Sequence, residues 1–278
     1  MQPTRIQSLF ESLKRENRAA LIAYITAGDP TPERTPAIAA ALERGGVDLI
    51  ELGVPFSDPI ADGPAIQLAS DRALKSGTTV PKVLEMARQI RAASQIPLLL
   101  FTYMNPVLRY GLDKLATDAK AAGIDGCLLT DLSVEEADRY VFTMRSAGLE
   151  TVFLAAPTST DARLKLVAKF STGFVYLVSR TGVTGERSTL PEDLVRDVKR
   201  LRRRCDLPLA VGFGISTPDQ VAALGEVADA VVVGSALVRL VEQMGEDPDL
   251  PAVLEDHVRK LAAPLLGRGP HRAGAAGA

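Results

Sequence analysis

Val47-Asp-Leu-Ile-Glu51-Leu-Gly-Val-Pro-Phe-Ser-Asp58-Pro-Ile-Ala-Asp62-Gly63-Pro64 reads as a buried strand that runs out into an acidic loop. Val47, Leu49, Ile50 and Leu52 form a short apolar run, closed by Gly53 and Pro55. Glu51 interrupts that run with a carboxyl group where a buried strand should be apolar. Burying it costs free energy unless it is paired or kept protonated, so an ion pair and a catalytic acid are both open readings. Pro55, Pro59, Gly63 and Pro64 are expected to keep the following segment out of helix and sheet. Asp58, like Asp29 earlier in the chain, sits beside a proline and reads as a turn residue capping its own backbone. Asp62, before Gly63, fits an Asx turn as well as it fits a functional acid.

The same strand-then-helix pattern extends in both directions. Residues 3–16 read as a helix, with Ile6, Leu9, Phe10 and Leu13 at helical spacing. A strand at 19–26 stops at Ala27-Gly-Asp-Pro30; Thr31 is the expected N-cap of a helix that begins at Pro32 and runs to Gly45-Gly46. Helices at 79–93, 111–122 and 133–147 lead to strand runs at 98–103, 124–129 and 151–154. Helices after Thr160-Asp161, Pro191 and Thr217-Pro218 lead to runs at 174–178, 207–211 and 228–233, with a terminal helix near 251–265. Eight apolar runs alternating with helices at intervals of roughly 20 to 35 residues imply a parallel sheet covered by helices. Within 278 residues they fit an α/β fold of one domain, a closed (β/α)8 TIM barrel with an extra N-terminal helix. An open doubly wound sheet is the other arrangement, because periodicity does not show closure. The barrel is expected over 1–266, and the Gly/Ala-rich tail 267–278 is expected to be disordered.

Composition removes several classes of function. A net charge of -2 gives no electrostatic reason to expect nucleic acid or an anionic membrane. The one dense basic run, Lys199-Arg-Leu-Arg202-Arg-Arg204, reads as the solvated C-terminal end of a helix. Cys127 and Cys205 lack a metal-type spacing, so neither a disulfide framework nor a metal site is indicated. His257 and His271 are the only histidines and lie late in the chain, which leaves carboxylates, and a tyrosine, for acid–base work. With no signal-peptide core and no long apolar stretch, the chain is expected to be soluble and cytoplasmic.

In such a barrel the active site is built from the loops after the strands. Glu51 and Asp62 belong to the second such position, Asp131 follows the fourth run, and Tyr176 lies within the sixth, where core packing explains it equally well. Ser179-Arg-Thr-Gly182-Val-Thr184-Gly185, Val211-Gly-Phe213-Gly214-Ile-Ser216 and Gly234-Ser235-Ala236 follow the sixth, seventh and eighth runs. Each glycine pair alone is a turn. Three in succession, the last opening a helix, point to phosphate held on backbone N–H groups.

The motif from Glu51 to Pro64, with Ala27-Gly-Asp-Pro30, Ala155-Ala-Pro-Thr-Ser-Thr160 and the glycine turns at 179–185 and 211–216, resembles the signatures of the tryptophan synthase alpha chain family. The resemblance covers about residues 5 to 265. It implies a lyase that cleaves indole-3-glycerol phosphate to indole and glyceraldehyde 3-phosphate. It also implies an alpha2-beta2 heterotetramer with a beta chain, which carries pyridoxal phosphate and receives the indole. Glu51 matches the family's acid–base carboxylate, Asp62 the carboxylate that faces the indole N–H, and Tyr176 the tyrosine near the substrate. Gly185, Gly214, Gly234 and Ser235 match the phosphate-binding backbone, and Thr184 the loop residue that orients Asp62. Phe213 matches the indole pocket, with Tyr24 and Phe101 as looser matches. A buried Glu51 with a raised pKa can protonate indole C3 and take the hydroxyl proton, while ionised Asp62 stabilises the developing cation. Neither step needs a metal or a cofactor on this chain. Ser133 stands where the family usually has proline, in a region that faces the beta chain, which frees that loop somewhat.

Overall fold

A computed structural model describes residues 3–178, 192–212 and 214–266. The strands are β1 (Ala20–Thr26), β2 (Leu49–Gly53), β3 (Leu98–Thr102), β4 (Gly126–Leu129), β5 (Glu150–Ala155), β6 (Val175–Val178), β7 (Leu209–Gly212) and β8 (Ala230–Val233). The helices preceding β4 are α1 (Arg5–Glu16), α2 (Thr35–Arg44), α3 (Pro64–Lys75), α4 (Val80–Ala93), α5 (Met104–Tyr110) and α6 (Leu112–Ala121). Those that follow it are α7 (Asp138–Ser146), α8 (Asp161–Phe170), α9 (Glu192–Arg202), α10 (Pro218–Gly225), α11 (Ser235–Met244) and α12 (Leu250–Leu266).

All eight strands pair in parallel in chain order, and β8 returns to β1 with Ala20 opposite Ala230 and Ala23 opposite Val233. The sheet is therefore a closed barrel, and the open arrangement is excluded. Strand side chains alternate between the barrel interior and the helix layer. In β2, Leu49 packs in the interior, while Ile50 and Leu52 pack outward against the helices. Alternation from Leu49 points Glu51 inward, in register with Tyr24 of β1 and Leu99 of β3. The offending acid is thus on the inner wall.

Helix α1 plugs the end where the strands begin. Thr4 and Gln7 form a capping box, and Ile6, Phe10 and Leu13 enter the interior cluster, with Phe10 5.7 Å from Phe174. A polar clamp recurs at the same end. Asp48, Asp125, Thr172 and Asp229 each precede an even-numbered strand, and their side chains accept the backbone N–H of Leu21, Leu98, Thr151 and Leu209 at 2.8, 2.9, 2.9 and 2.9 Å. Each returns its own N–H to the carbonyl of the same residue. Arg18, Arg91 and Arg202 pair with the three aspartates at 2.8, 3.0 and 2.9 Å.

Several local expectations are corrected. Pro32–Arg34 is a 3-10 turn whose Thr31 makes no capping bond, and the α-helix starts at Thr35. Pro64 does not keep its segment out of helix; it occupies the first turn of α3, where a missing N–H costs nothing. Helix α5 was not expected, and the stretch 133–147 divides into a 3-10 turn, Val134–Glu136, and α7. The basic run is only partly solvated: Arg200 and Arg204 both pair with Asp161, at 2.8 and 2.9 Å. Asp29 is no self-capping turn residue, since it is 4 % exposed and paired with Arg72. Gly182, Thr184, Gly185, Phe213 and the tail expected to be disordered lie outside the described residues.

Candidate active site

Glu51 is 1 % exposed, and neither carboxyl oxygen has a hydrogen-bond partner among the described residues. The ion-pair reading is therefore not what the structure holds. Burial alone pushes its pKa from 4.5 up to about 8, because nothing nearby compensates the charged form. Near neutral pH the group keeps its proton, yet can release it within the range in which an acid–base catalyst must work.

Asp62 lies on the loop between β2 and α3, and its carboxylate is the acceptor of the Tyr103 hydroxyl at 2.9 Å. The same hydroxyl accepts the N–H of Ala61 at 3.0 Å, so Tyr103 holds the loop at two adjacent points. Tyr103 is buried at the end of β3, and its ring lies 5.2 Å from that of Phe56 on the same loop. Burial raises the Asp62 pKa and the Tyr103 bond lowers it, with burial the larger effect. The Asx reading of Asp62 gives way to this long-range bond. Asp58 remains an exposed turn residue that accepts a bond from Ser57 at 2.5 Å.

Tyr176 is half-buried on the inner wall, opposite Leu154 and Ala210. Its hydroxyl is held well above its ordinary pKa, by burial first and then by the charges of Glu51 and Asp62. Tyr24 is raised likewise by burial, then by Asp62, and feels Glu51 more weakly. The two tyrosines and two acids therefore share one electrostatic environment at the strand C-terminal end. The Tyr24 ring meets Phe101 edge-on at 5.2 Å, and its hydroxyl lies 3.3 Å from that of Thr26.

Two glycines explain how tyrosines fit inside so narrow a barrel. A Cβ on Gly53 would lie 2.3 Å from the Tyr24 hydroxyl, and one on Gly212 would lie 2.3 Å from the Tyr176 hydroxyl. Each bare backbone is the seat of a neighbouring ring. The sequence marks Gly53 as a strand end and Gly212 as part of a phosphate-type glycine turn, and does not mark Tyr103 as a partner of Asp62. Each glycine stands two positions beyond the residue paired with an inward-facing tyrosine, Glu51 opposite Tyr24 and Ala210 opposite Tyr176; Tyr103 has no comparable local signal.

Gly214 after β7 has φ +72°, a left-handed backbone that glycine adopts freely. Gly234 and Ser235 follow β8 and open α11, where no side chain caps the first turn. The N–H groups there lack intrahelical acceptors and carry the positive end of the helix dipole, which suits an anion. Asp131, by contrast, is occupied: it accepts the N–H of Met104 at the start of α5 at 2.7 Å. Among the described residues, no cluster of three or more His, Cys, Asp or Glu could hold a metal, and no helix is long and apolar enough to cross a membrane.

Comparison with known proteins agrees with this arrangement. Residues 10–263 match the family model described as tryptophan synthase alpha chain. A tryptophan synthase alpha chain of Solibacter usitatus is 66 % identical over 93 % of this chain and 97 % of its own length. One from Geotalea uraniireducens is 50 % identical over 88 % and 91 %. The crystal structure of tryptophan synthase subunit alpha from Legionella pneumophila superposes with a TM-score of 0.88 at 36 % identity, covering 95 % of this chain and 99 % of that one. A structure of the tryptophan synthase α2β2 complex from Pyrococcus furiosus gives 0.83 at 42 % identity, covering 88 % and 98 %. Sequence and fold thus agree, and the chain belongs to the tryptophan synthase alpha chain family.

Proposed function

We propose that Glu51 and Asp62 carry the cleavage of indole-3-glycerol phosphate to indole and glyceraldehyde 3-phosphate on this chain. The observation that bears most weight is the Glu51 carboxyl, buried with both oxygens unpartnered at the catalytic end of the barrel. Such a group enters the reaction protonated. It gives its proton to indole C3, and the ring becomes an indoleninium-like cation. The carboxylate so formed then takes the proton of the substrate hydroxyl as the carbon–carbon bond breaks, which returns Glu51 to its starting state. Asp62, ionised and held by Tyr103, faces the ring N–H and stabilises the cation as it develops.

Tyr176, Tyr24 and Phe101 line the aromatic part of the site, and the phosphate is assigned to Gly214, Gly234 and Ser235. Roles for Phe213, Gly185 and Thr184, which lie outside the described residues, rest on the family likeness alone. The reaction draws on no cofactor of this chain. A beta chain bearing pyridoxal phosphate is the assigned partner, in an α2β2 assembly that takes up the indole. A groove of about 510 Å3, lined by Met104, Leu108, Leu112, Leu132 and Tyr140 and by the charged Asp113, Lys114, Glu136 and Arg139, is the surface we assign to that partner. Ser133 has φ -65°, the value proline would impose, so the loop keeps its path without proline.

The test is indole release from indole-3-glycerol phosphate by the purified chain, with and without an added beta chain. The expected result is slow release alone and a marked rise on addition. No release under either condition would refute the assignment, and release indifferent to the beta chain would refute the subunit role.

A further inference from the structure

Arg72 lies on α3, two turns beyond the loop that carries Asp62. Its Nε and Nη2 donate to the two oxygens of Asp29 at 2.8 and 2.9 Å, a forked contact with a carboxylate that is almost wholly buried after β1. Its remaining nitrogen, Nη1, donates to Glu242 of α11 at 2.9 Å. One guanidinium therefore joins three elements: the first loop, α3 and α11. A rigid planar fork with five donors suits this, and a lysine point charge does not.

Both helices lead directly into the site. The α3 side chain of Gln67 donates to the Asp62 carbonyl at 2.9 Å, which fixes that loop to the helix. Helix α11 begins at Ser235, where the phosphate is assigned. Between the helices lies a small core separate from the rest, in which Tyr24, Ala69 and Val238 are buried, with Ala65, Ile66 and Phe101 against it. Small side chains on α3 let the helices approach closely, but alanines carry little shape to fix how one slides on the other. The ionic contact at the rim supplies that restraint.

We infer that Arg72 is a positioning residue, which through Asp29 and Glu242 sets the separation between the Asp62 loop and the phosphate-binding turn of α11. This rests on the reading of the site given above. The substrate spans both ends, so its transition state needs both in register, whereas a ligand filling one end does not. Misplacing reacting groups costs rate even when each group is intact. Restraint of the span therefore shows in the joined substrate and not in its fragments.

Asp29 is too deeply buried for a clean test, since removing either member of a buried pair strands the other. Glu242 is exposed, and Glu242→Ala breaks only the arm to α11. Cleavage of indole-3-glycerol phosphate is to be measured in this variant alongside the Kd of indole and of glycerol 3-phosphate. The expected result is a fall of about two- to fivefold in kcat/KM, the reach of a partly exposed ion pair, with both fragment affinities unchanged and activity recovered in Glu242→Asp. Local electrostatics predicts the opposite sign, since removing an acid near an anion site should tighten glycerol 3-phosphate. An unchanged kcat/KM, or a fall matched by equal loss of fragment affinity, would overturn the inference. Failure of the unaltered protein to cleave the substrate or bind glycerol 3-phosphate would overturn the reading of the site, and this inference with it.

Discussion

The aspartates at the feet of the strands and the glutamate on the inner wall are buried carboxylates treated in opposite ways. At the strand N-terminal end, Asp48, Asp125 and Asp229 each accept a backbone N–H and meet an arginine. At the C-terminal end, Glu51 is as deeply buried and has nothing. The first arrangement ties adjacent strands together and recovers the cost of desolvation. The second leaves that cost standing, in the form of a pKa raised to about 8. Residue type does not separate structure from chemistry here; the presence of a partner does.

Substitutions should therefore act with opposite signs at the two ends, and the largest effect is expected at Glu51. Glu51→Gln should lower the rate of cleavage by about 10²- to 10⁴-fold, the range of a general acid–base group, measured as indole release. It should also stabilise the fold. From pH 4.5 to about 8 the unfolded chain has lost a proton that folded Glu51 retains, so native stability drains away as pH rises through that window. Glutamine removes the penalty, and the gain in Tm over the unaltered protein should be larger at pH 9 than at pH 4. A variant less stable at high pH would break the contrast between the ends.

Asp125→Ala should do the reverse. It removes the acceptor shared by Arg5, Arg91 and the N–H of Leu98 and should cost about 3–5 kcal/mol, as breaking a buried pair does, measured by urea unfolding. The rate per folded molecule should be unaltered. Asp62→Asn follows, at about 2.7 kcal/mol or more of transition-state stabilisation, read from kcat/KM.

Tyr103→Phe sharpens the comparison, because it removes the hydrogen bond that the Asp62 carboxylate accepts. A loss of about 1.5–3 kcal/mol is expected from a hydrogen bond to a charged group. Tyr103 lowers the Asp62 pKa against burial, so its loss should move the acid limb of the pH–rate profile to higher pH. Ser133→Pro is the smallest effect. The backbone already sits at φ -65°, and proline should add about 0.4–1 kcal/mol of stability by restricting the unfolded chain, without change in rate.

The same contrast decides what was legible in the sequence. The barrel could be read because eight buried runs alternate with helices, though only the β8–β1 pairing shows closure. Glu51 could be read because an acid in an apolar run breaks a local pattern. Helix α3 was hidden because its buried residues are Ala69, Ser70 and Ala73, too small to give an apolar period. Asp29 was misread as a local turn residue, and the residues around Asp62 left it open between turn and functional acid, because their partners, Arg72 and Tyr103, lie 43 and 41 positions away. Periodicity reports what a residue does to its own segment, and the partner that decides a carboxylate's role lies on another strand or helix.

The central claim is that Glu51 enters the reaction as a buried acid without a partner. Its carboxyl carbon can be followed by 13C NMR in protein labelled at glutamate, with Glu51→Gln to assign the resonance. A midpoint near the value of about 8 is the predicted result. A midpoint near 4.5, the ordinary value for a glutamate, would mean that Glu51 is charged at neutral pH and would contradict the account.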